Sequence, residues 1–263
     1  MHPILFTIGT FKVGTYGLAL SAAFAVGIAL AYFRAKWEGE NAEHVFNLCV
    51  WVVLAGLIGA KLLLVVVEIQ YFLENPSELL SVWRLGGVWW GGPIVGAVVA
   101  WLYTRREKMG FLRTADIIAP SMALGVAIGR LGGCFMAGCC YGRPTDSSLG
   151  VVFTNEYSHT MFGTPLYTPI HPVQVYNSFT NLVNFIILTL VFRKKKFDGQ
   201  IFLLYIMIYS VGRFITEFFR GDVRGSISLL TWTLSTSQFI ALFAFVLAGI
   251  GYCLTRSRAV KAR

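Results

Sequence analysis

The run 46-FNLCVWVVLAGLIGAKLLLVVV-67 carries a single formal charge, Lys61. About 20 apolar residues suffice for a helix to cross the hydrocarbon of a bilayer. A membrane β-strand would instead show alternation over about ten residues, and this run shows none. It predicts a transmembrane α-helix. Lipid offers no hydrogen bonds to the backbone, so only helices and closed barrels span it. Composition extends the argument to the whole chain of 263 residues, which is 56% hydrophobic and 13% charged. Soluble domains carry roughly 25% charged residues. The expectation is an all-α polytopic membrane protein, a single bundle over 1–263.

Further candidate spans lie at 14–33, 86–103, 116–137, 173–192, 200–219 and 232–254, making seven in all. The basic residues sort themselves around them. Arg34 and Lys36, then Arg105, Arg106, Lys108 and Arg113, then Arg193 to Lys196, then Arg256, Arg258, Lys261 and Arg263 hold 14 of the 22 lysines and arginines. These segments alternate with basic-poor ones, as seven spans require. Basic loops stay cytoplasmic, so the N-terminus is expected outside and the C-terminus in the cytoplasm. The formal charge of +9 is then a topological signal, and a nucleic-acid partner loses its support. No basic leader or small-residue cleavage site precedes the first run, so no cleavable signal peptide is expected. The segment 138–172, with Gly142, Pro144, Gly150, Pro165, Pro169 and Pro172, is too long for a simple connector and is expected to form a small extracytoplasmic cap.

Charges inside a bilayer cost about 2.5–3.5 kcal/mol each and mark function by default. Lys61, Arg130, Arg213 and Glu217 lie within the spans. With the orientation above, the three cations fall at one depth, about 10 Å below the outer boundary at about 1.5 Å per residue. Arg213, Glu217 and Arg220 share a helix face by i, i+4, i+7 spacing. Snorkelling side chains or a structural ion pair would explain any one of these charges. A matched set of three favours an anionic lipid headgroup, whose phosphate suits the guanidinium fork.

Gly92-x-x-x-Gly96 and Gly125-x-x-x-Gly129 read as close helix packing. Trp89, Trp90 and Tyr16 suit an aromatic belt at the interface, with Tyr16 a candidate for the site as well. Cys134, Cys139 and Cys140 follow C-x4-C-C, an uncommon zinc spacing with no histidine or carboxylate beside it to complete four ligands. They are expected to pack as small apolar residues, with no metal or other cofactor; a disulfide among them is the alternative on an oxidising face.

These residues together resemble the prolipoprotein diacylglyceryl transferase family. The resemblance runs from Phe6-Thr7-Ile8-Gly9 and Tyr16-Gly17-Leu18, through Gly59-Ala60-Lys61, Ala115-Asp116 and Gly129-Arg130-Leu131-Gly132, to His171-Pro172-Val173-Gln174-Val175-Tyr176. It continues in Gly212-Arg213-Phe214-Ile215-Thr216-Glu217-Phe218-Phe219-Arg220 and Leu234-Ser235-Thr236-Ser237-Gln238. It implies transfer of a diacylglyceryl group from phosphatidylglycerol to the lipobox cysteine thiol at a prolipoprotein signal peptide. Glycerol phosphate would leave, in the bacterial cytoplasmic (inner) membrane. The partners would be phosphatidylglycerol, the precursor and membrane lipids.

By the same resemblance Arg130 and Arg213 stabilise the leaving phosphate, Glu217 orients Arg213, and His171 completes the catalytic set. Tyr16, Lys61, Trp90, Gly142, Arg143, Gln174, Tyr176, Arg220 and Gln238 are the substrate-binding candidates, Gly142 letting the chain pass close to the ligand. Three departures stand out. Trp90 occupies a position where some members have a proposed histidine base, Gly133 looks like an insertion in the signature, and Cys139 stands near a family glutamate. The base is therefore open: the arginine field could lower the acceptor thiol's pKa, or His171 or Glu217 could take its proton. A divergent paralogue with another lipid or acceptor, or a non-catalytic anionic-lipid binder or transporter, are the alternatives.

Overall fold

A computed structural model of the chain describes residues 2–9, 11–83, 86–88, 90–222, 225–229 and 232–261. Trp89 and Arg263 lie outside the described residues. The chain divides into two compact units, residues 1–27 with 115–263, and residues 28–114.

The first unit opens with an antiparallel hairpin, β1 (Ile4–Ile8) and β2 (Phe11–Gly14), followed at once by α1 (Thr15–Trp37). The Thr15 amide and hydroxyl donate to the carbonyls of Pro3 and His2, tying the hairpin to the helix start.

Within residues 28–114, α2 (Ala42–Val67) begins at Asn41, whose side chain accepts from the Glu43 and His44 amides at 3.1 and 3.2 Å. That cap satisfies two of the amides a helix start leaves open. Next come α3 (Ile69–Glu74), a 3-10 turn over Pro76–Ser81, and α4 (Gly91–Arg106). Helix α4 packs on α2 through glycine. A Cβ at Gly59 would run into the Gly91 carbonyl and the Val95 side chain, and one at Gly91 into Gly59 and Leu63. Gly92 faces Gly56 in the same way, so the Gly92/Gly96 pair does serve close packing. The outward residues of α2, among them Leu54, Ile58, Leu62 and Val66, are exposed. Large apolar side chains exposed along one helix face are what lipid contact requires.

The chain returns to the first unit along α5 (Phe111–Ile128), which continues as a π-helical turn, Gly129–Phe135. A π turn takes one extra residue into a helix, and Gly133 lies within this one. The turn packs closely on α1: a Cβ at Gly133 would come 3.1 Å from the Tyr16 ring. The Ser178 hydroxyl donates to the Ala127 carbonyl at 2.8 Å just before this turn. The segment 138–172 holds β3 (Val151–Val152), α6 (Glu156–Phe162) and β4 (Pro169–Ile170), the two strands paired antiparallel. Helices α7 (Val173–Phe192), α8 (Gln200–Glu217) and α9 (Thr236–Lys261) follow, with the hairpin β5 (Ser226–Leu229) and β6 (Trp232–Ser235) between the last two.

A helix overlaps each expected span, but 86–88 are not helical and 232–235 form strand β6. Among the described residues five are long and apolar enough to cross a membrane: Thr15–Trp37, Ala42–Val67, Phe111–Phe135, Val173–Phe192 and Thr236–Lys261. In the Ala42–Val67 span only 6% of the apolar window is buried within the protein. Helix α4 is shorter, at 16 residues, because residues 86–88 ahead of it are not helical. Helix α8, with 18 residues, carries Arg213 and Glu217 in its last turns. The protein is a mostly helical, polytopic membrane protein. Among the described residues, two short hairpins and the β3–β4 pair correct the all-helical expectation.

Asp116 shows how the first unit is pinned. Its carboxylate is fully buried on α5 and accepts from the amides of Gly199 and Phe202 at 2.7 and 2.8 Å, with Lys195 Nζ at 3.2 Å. A carboxylate from one helix thereby caps the N-terminus of another, where both open amides and the helix dipole favour negative charge.

A candidate active site of buried arginines and thiols

Three stretches distant in sequence meet through the backbone. The Arg143 amide donates to the Phe219 carbonyl at 2.9 Å, the Gly221 amide to Tyr141 at 3.1 Å, the His171 amide to Arg143 at 2.9 Å, and the Thr145 amide to Pro169 at 3.0 Å. Residues 141–145 thus run between 169–171 and 219–221. Gly142 has to be glycine here, since a Cβ would strike the His171 backbone and come 2.9 Å from the Phe219 carbonyl oxygen. The close approach at Gly142 is one of chain on chain. Ligand contact there stays an expectation.

This crossing brings the charged residues into one network. Arg130 leaves the π turn with its Nη1 3.6 Å from Cys140 Sγ and 3.8 Å from Cys134 Sγ. Arg220 is an electrostatic neighbour of Cys140. It grips Asp222 with both ends of its fork, at 2.8 and 2.7 Å, and lies 3.8 Å from Glu217. Glu217 in turn pairs with Arg213 at 2.6 Å and accepts from the Ser235 hydroxyl at 3.0 Å. Arg213 donates to the Ser237 hydroxyl at 2.9 Å. Arg130 and Arg213 are therefore joined through Cys140, Arg220 and Glu217, and Tyr209, one turn before Arg213 on α8, is a further electrostatic neighbour of Arg130. Glu217 and Arg220 are 6% and 4% exposed. At such burial an unpaired charge would be very costly, and alternating signs make the arrangement tolerable.

The predicted residues fall into place unequally. Gln174 donates from Nε2 to the Cys139 carbonyl at 2.7 Å, and its Oε1 is buried without a hydrogen-bond partner. Gln238 accepts from the Ser235 amide at 3.1 Å, holding the serine that holds Glu217. Arg143 donates from Nε to the Arg220 carbonyl at 2.9 Å. His171 Nδ1 lies 3.3 Å from the Tyr176 hydroxyl, and both rings stack edge-on against Phe219. Tyr16 packs at Gly133. Lys61 and Trp90 belong to the other unit, where Lys61 Nζ lies 3.5 Å from the Trp83 carbonyl and Trp90 is exposed just before α4. Sequence reasoning passed over Asp222, Ser235 and Ser237 as partners. The two serines stand inside a phrase that drew attention for other reasons, whereas Asp222 carried no signal of its own.

The three cysteines are free thiols, and their Sγ atoms all lie within 4.8 Å of one another. No disulfide joins them. Cys140 lies beyond the helical span, and its thiol is held well below the ordinary range. Hydrogen bonds from Cys134 and Cys139 do most of this, with Arg130 and Arg220 adding positive charge. Cys139 is pushed up by its hydrogen bonds to Cys134 and Cys140 and by burial. The lowered Cys140 thiol therefore lies beside two guanidinium groups and two further thiols.

Fold and site together define a helical membrane protein with a buried arginine–carboxylate–thiol network beside an extra-helical cap. A family model described as prolipoprotein diacylglyceryl transferase matches residues 3–254, and the chain belongs to that family. Among its relatives is the phosphatidylglycerol–prolipoprotein diacylglyceryl transferase of Clostridium tetani (strain Massachusetts / E88), 37% identical over 98% of this chain and 99% of that protein. A second is phosphatidylglycerol–prolipoprotein diacylglyceryl transferase 2 of Clostridium perfringens (strain 13 / Type A), 34% identical over 94% of this chain and 92% of its own. The corresponding transferase of Lysinibacillus sphaericus (strain C3-41) is 33% identical over 99% and 94%.

Proposed function

We propose that this protein transfers the diacylglyceryl group of phosphatidylglycerol to the lipobox cysteine of prolipoproteins, the first step of lipoprotein lipidation. The sulfur attacks a glycerol carbon, a thioether forms, and glycerol phosphate leaves. The observation that carries the reading is the network from Arg130 through Cys140, Arg220 and Glu217 to Arg213, in a chain whose relatives are named for this reaction. Negative charge grows on phosphate oxygens as the C–O bond breaks. Guanidinium groups already fixed in a poorly hydrated place stabilise that charge without reorganising.

In this reading Arg130 and Arg213 face the phosphate and Glu217 orients Arg213. His171, Tyr176, Gln174, Arg143, Arg220 and Gln238 shape the site, and Tyr16, Lys61, Trp90 and Gly142 take part in substrate binding. The chain acts as one seven-span bundle in the bacterial inner membrane, N-terminus outside, with 138–172 as the cap that the precursor's signal peptide meets.

Purified protein with phosphatidylglycerol and a lipobox peptide should yield a thioether-linked diacylglyceryl peptide. Arg130→Ala and Arg213→Ala should each lower turnover by at least about a hundredfold, the usual scale for one lost transition-state donor. Near-normal rates in both inserted variants would remove the arginines from the phosphate role.

A further inference from the structure

The thiol cluster is more elaborate than packing requires. Cys134 lies near the end of the π turn, and the chain then reverses through Gly138 (φ 79°) to Cys140, a non-glycine residue at φ 59°. A left-handed conformation at a residue with a side chain persists only where its surroundings impose it. Here they do. The carbonyls of Ala137, Gly138, Cys139 and Tyr141 each accept a hydrogen bond, from Ser158, Thr164, Gln174 and Gly221 at 2.9, 2.6, 2.7 and 3.1 Å. The Cys139 amide donates to Cys134 at 3.1 Å. With this support, three sulfur atoms lie within 4.8 Å of one another. Four protein ligands are the rule only for a structural zinc site. A catalytic zinc ion needs three, with the fourth position left open.

We propose that Cys134, Cys139 and Cys140 form a three-thiolate site for a divalent thiophilic ion such as zinc, whose open position takes the thiol of the acceptor peptide. The proposal rests on the transferase reading for the identity of that thiol. Zn–S bonds of about 2.3 Å at tetrahedral angles place sulfurs about 3.8 Å apart, so small side-chain rotations from a mutual distance within 4.8 Å complete the site. Thiolate ligands select zinc over harder ions. Three thiolates and a divalent ion leave one negative charge, and Arg130 and Arg220 lie against the cluster to offset it.

The chemistry would supply activation of the acceptor thiol. A thiol that coordinates such an ion gives up its proton. The acceptor's S–H bond breaks, the proton joins metal-bound hydroxide, and the water formed departs. The metal-bound sulfur then donates its electron pair to the glycerol carbon while the C–O bond to phosphate breaks, its pair leaving on the phosphate oxygen. The thioether formed is neutral and a weaker ligand than thiolate, which frees the position again.

The test uses full-length protein in detergent, stripped of metal under reducing conditions and titrated with Co(II) alone. One equivalent should produce thiolate-to-cobalt charge-transfer absorption and strong tetrahedral d–d bands, both erased by Zn(II). Cys139→Ser and Cys140→Ser should lose them. A lipobox peptide should raise the charge-transfer intensity by about one third, as three thiolates become four, and a peptide with serine for its cysteine should not; this comparison needs no variant protein. Absence of a one-to-one band in the wild-type protein, or an unchanged band in both variants, overturns the metal site. A band indifferent to the cysteine peptide overturns the open position. Full transfer by metal-free protein would sink the proposal and leave the transferase standing, whereas a peptide-responsive band without transfer would sink the transferase alone.

Discussion

Arg130 is a charge placed where water is scarce, and its neighbours explain how it is kept there. Two sulfur atoms face its guanidinium, and the Cys140 thiol is held below the ordinary range. Cys140 makes this testable, because only the thiolate reacts with alkylating agents. Its folded pKa is depressed, so the stabilisation it draws from Arg130 and Arg220 is present above the unfolded value and is lost as pH falls through the folded one. In metal-free protein, alkylation of Cys140 should hold a steady rate between pH 7 and pH 9, while Cys139 should gain about tenfold per unit. Peptide mapping of time courses checks this, and a Cys140 rate that climbs with pH would show a protonated thiol. Glu217→Gln keeps the shape of the Arg213 partner but removes its charge. It should lower turnover by an order of magnitude or more while peptide KM changes little, since Arg213 would keep its place less firmly and peptide recognition would be untouched.

Elements hold one another through single residues. Asp116 is the clearest: a carboxylate on α5 capping the start of α8, the helix that carries Arg213 and Glu217. Asp116→Ala strands two buried amides, while Lys195 keeps Asp198, and should cost about 1–3 kcal/mol, read as a lowered midpoint in denaturant-induced unfolding in detergent. An unchanged midpoint would mean water replaces the carboxylate. Glycine does the equivalent work between α2 and α4. Gly59→Val meets Gly91 and Val95 and should be strongly destabilising, whereas Gly249→Val on α9, where a Cβ meets nothing within 4 Å, should be tolerated. Comparing the melting temperatures of the two variants checks the contrast.

At the scale of the whole molecule, the alternation of basic and basic-poor segments bears on which way round the protein sits. With the cap outside, a membrane-impermeant maleimide should label Asp146→Cys in intact cells. Arg258→Cys should be labelled only after permeabilisation. The reverse pattern would invert the topology and put the site on the wrong face for a secreted precursor.

Lipid-spanning helices declare themselves in sequence because their physics is local: a run of apolar residues of bilayer length needs no partner to be recognised. Arg130, Arg213 and Glu217 were legible for the same reason, since a charge in such a run is conspicuous without a structure. What only the tertiary structure decided is which groups answer them. The Asp222 fork, the serine partners of Glu217 and Arg213, the Asp116 cap and the convergence of three thiols all join residues far apart in the chain or across a turn. Such contacts depend on where the backbone is carried, through a π turn, a strained cysteine and a glycine crossing, and no periodicity records them.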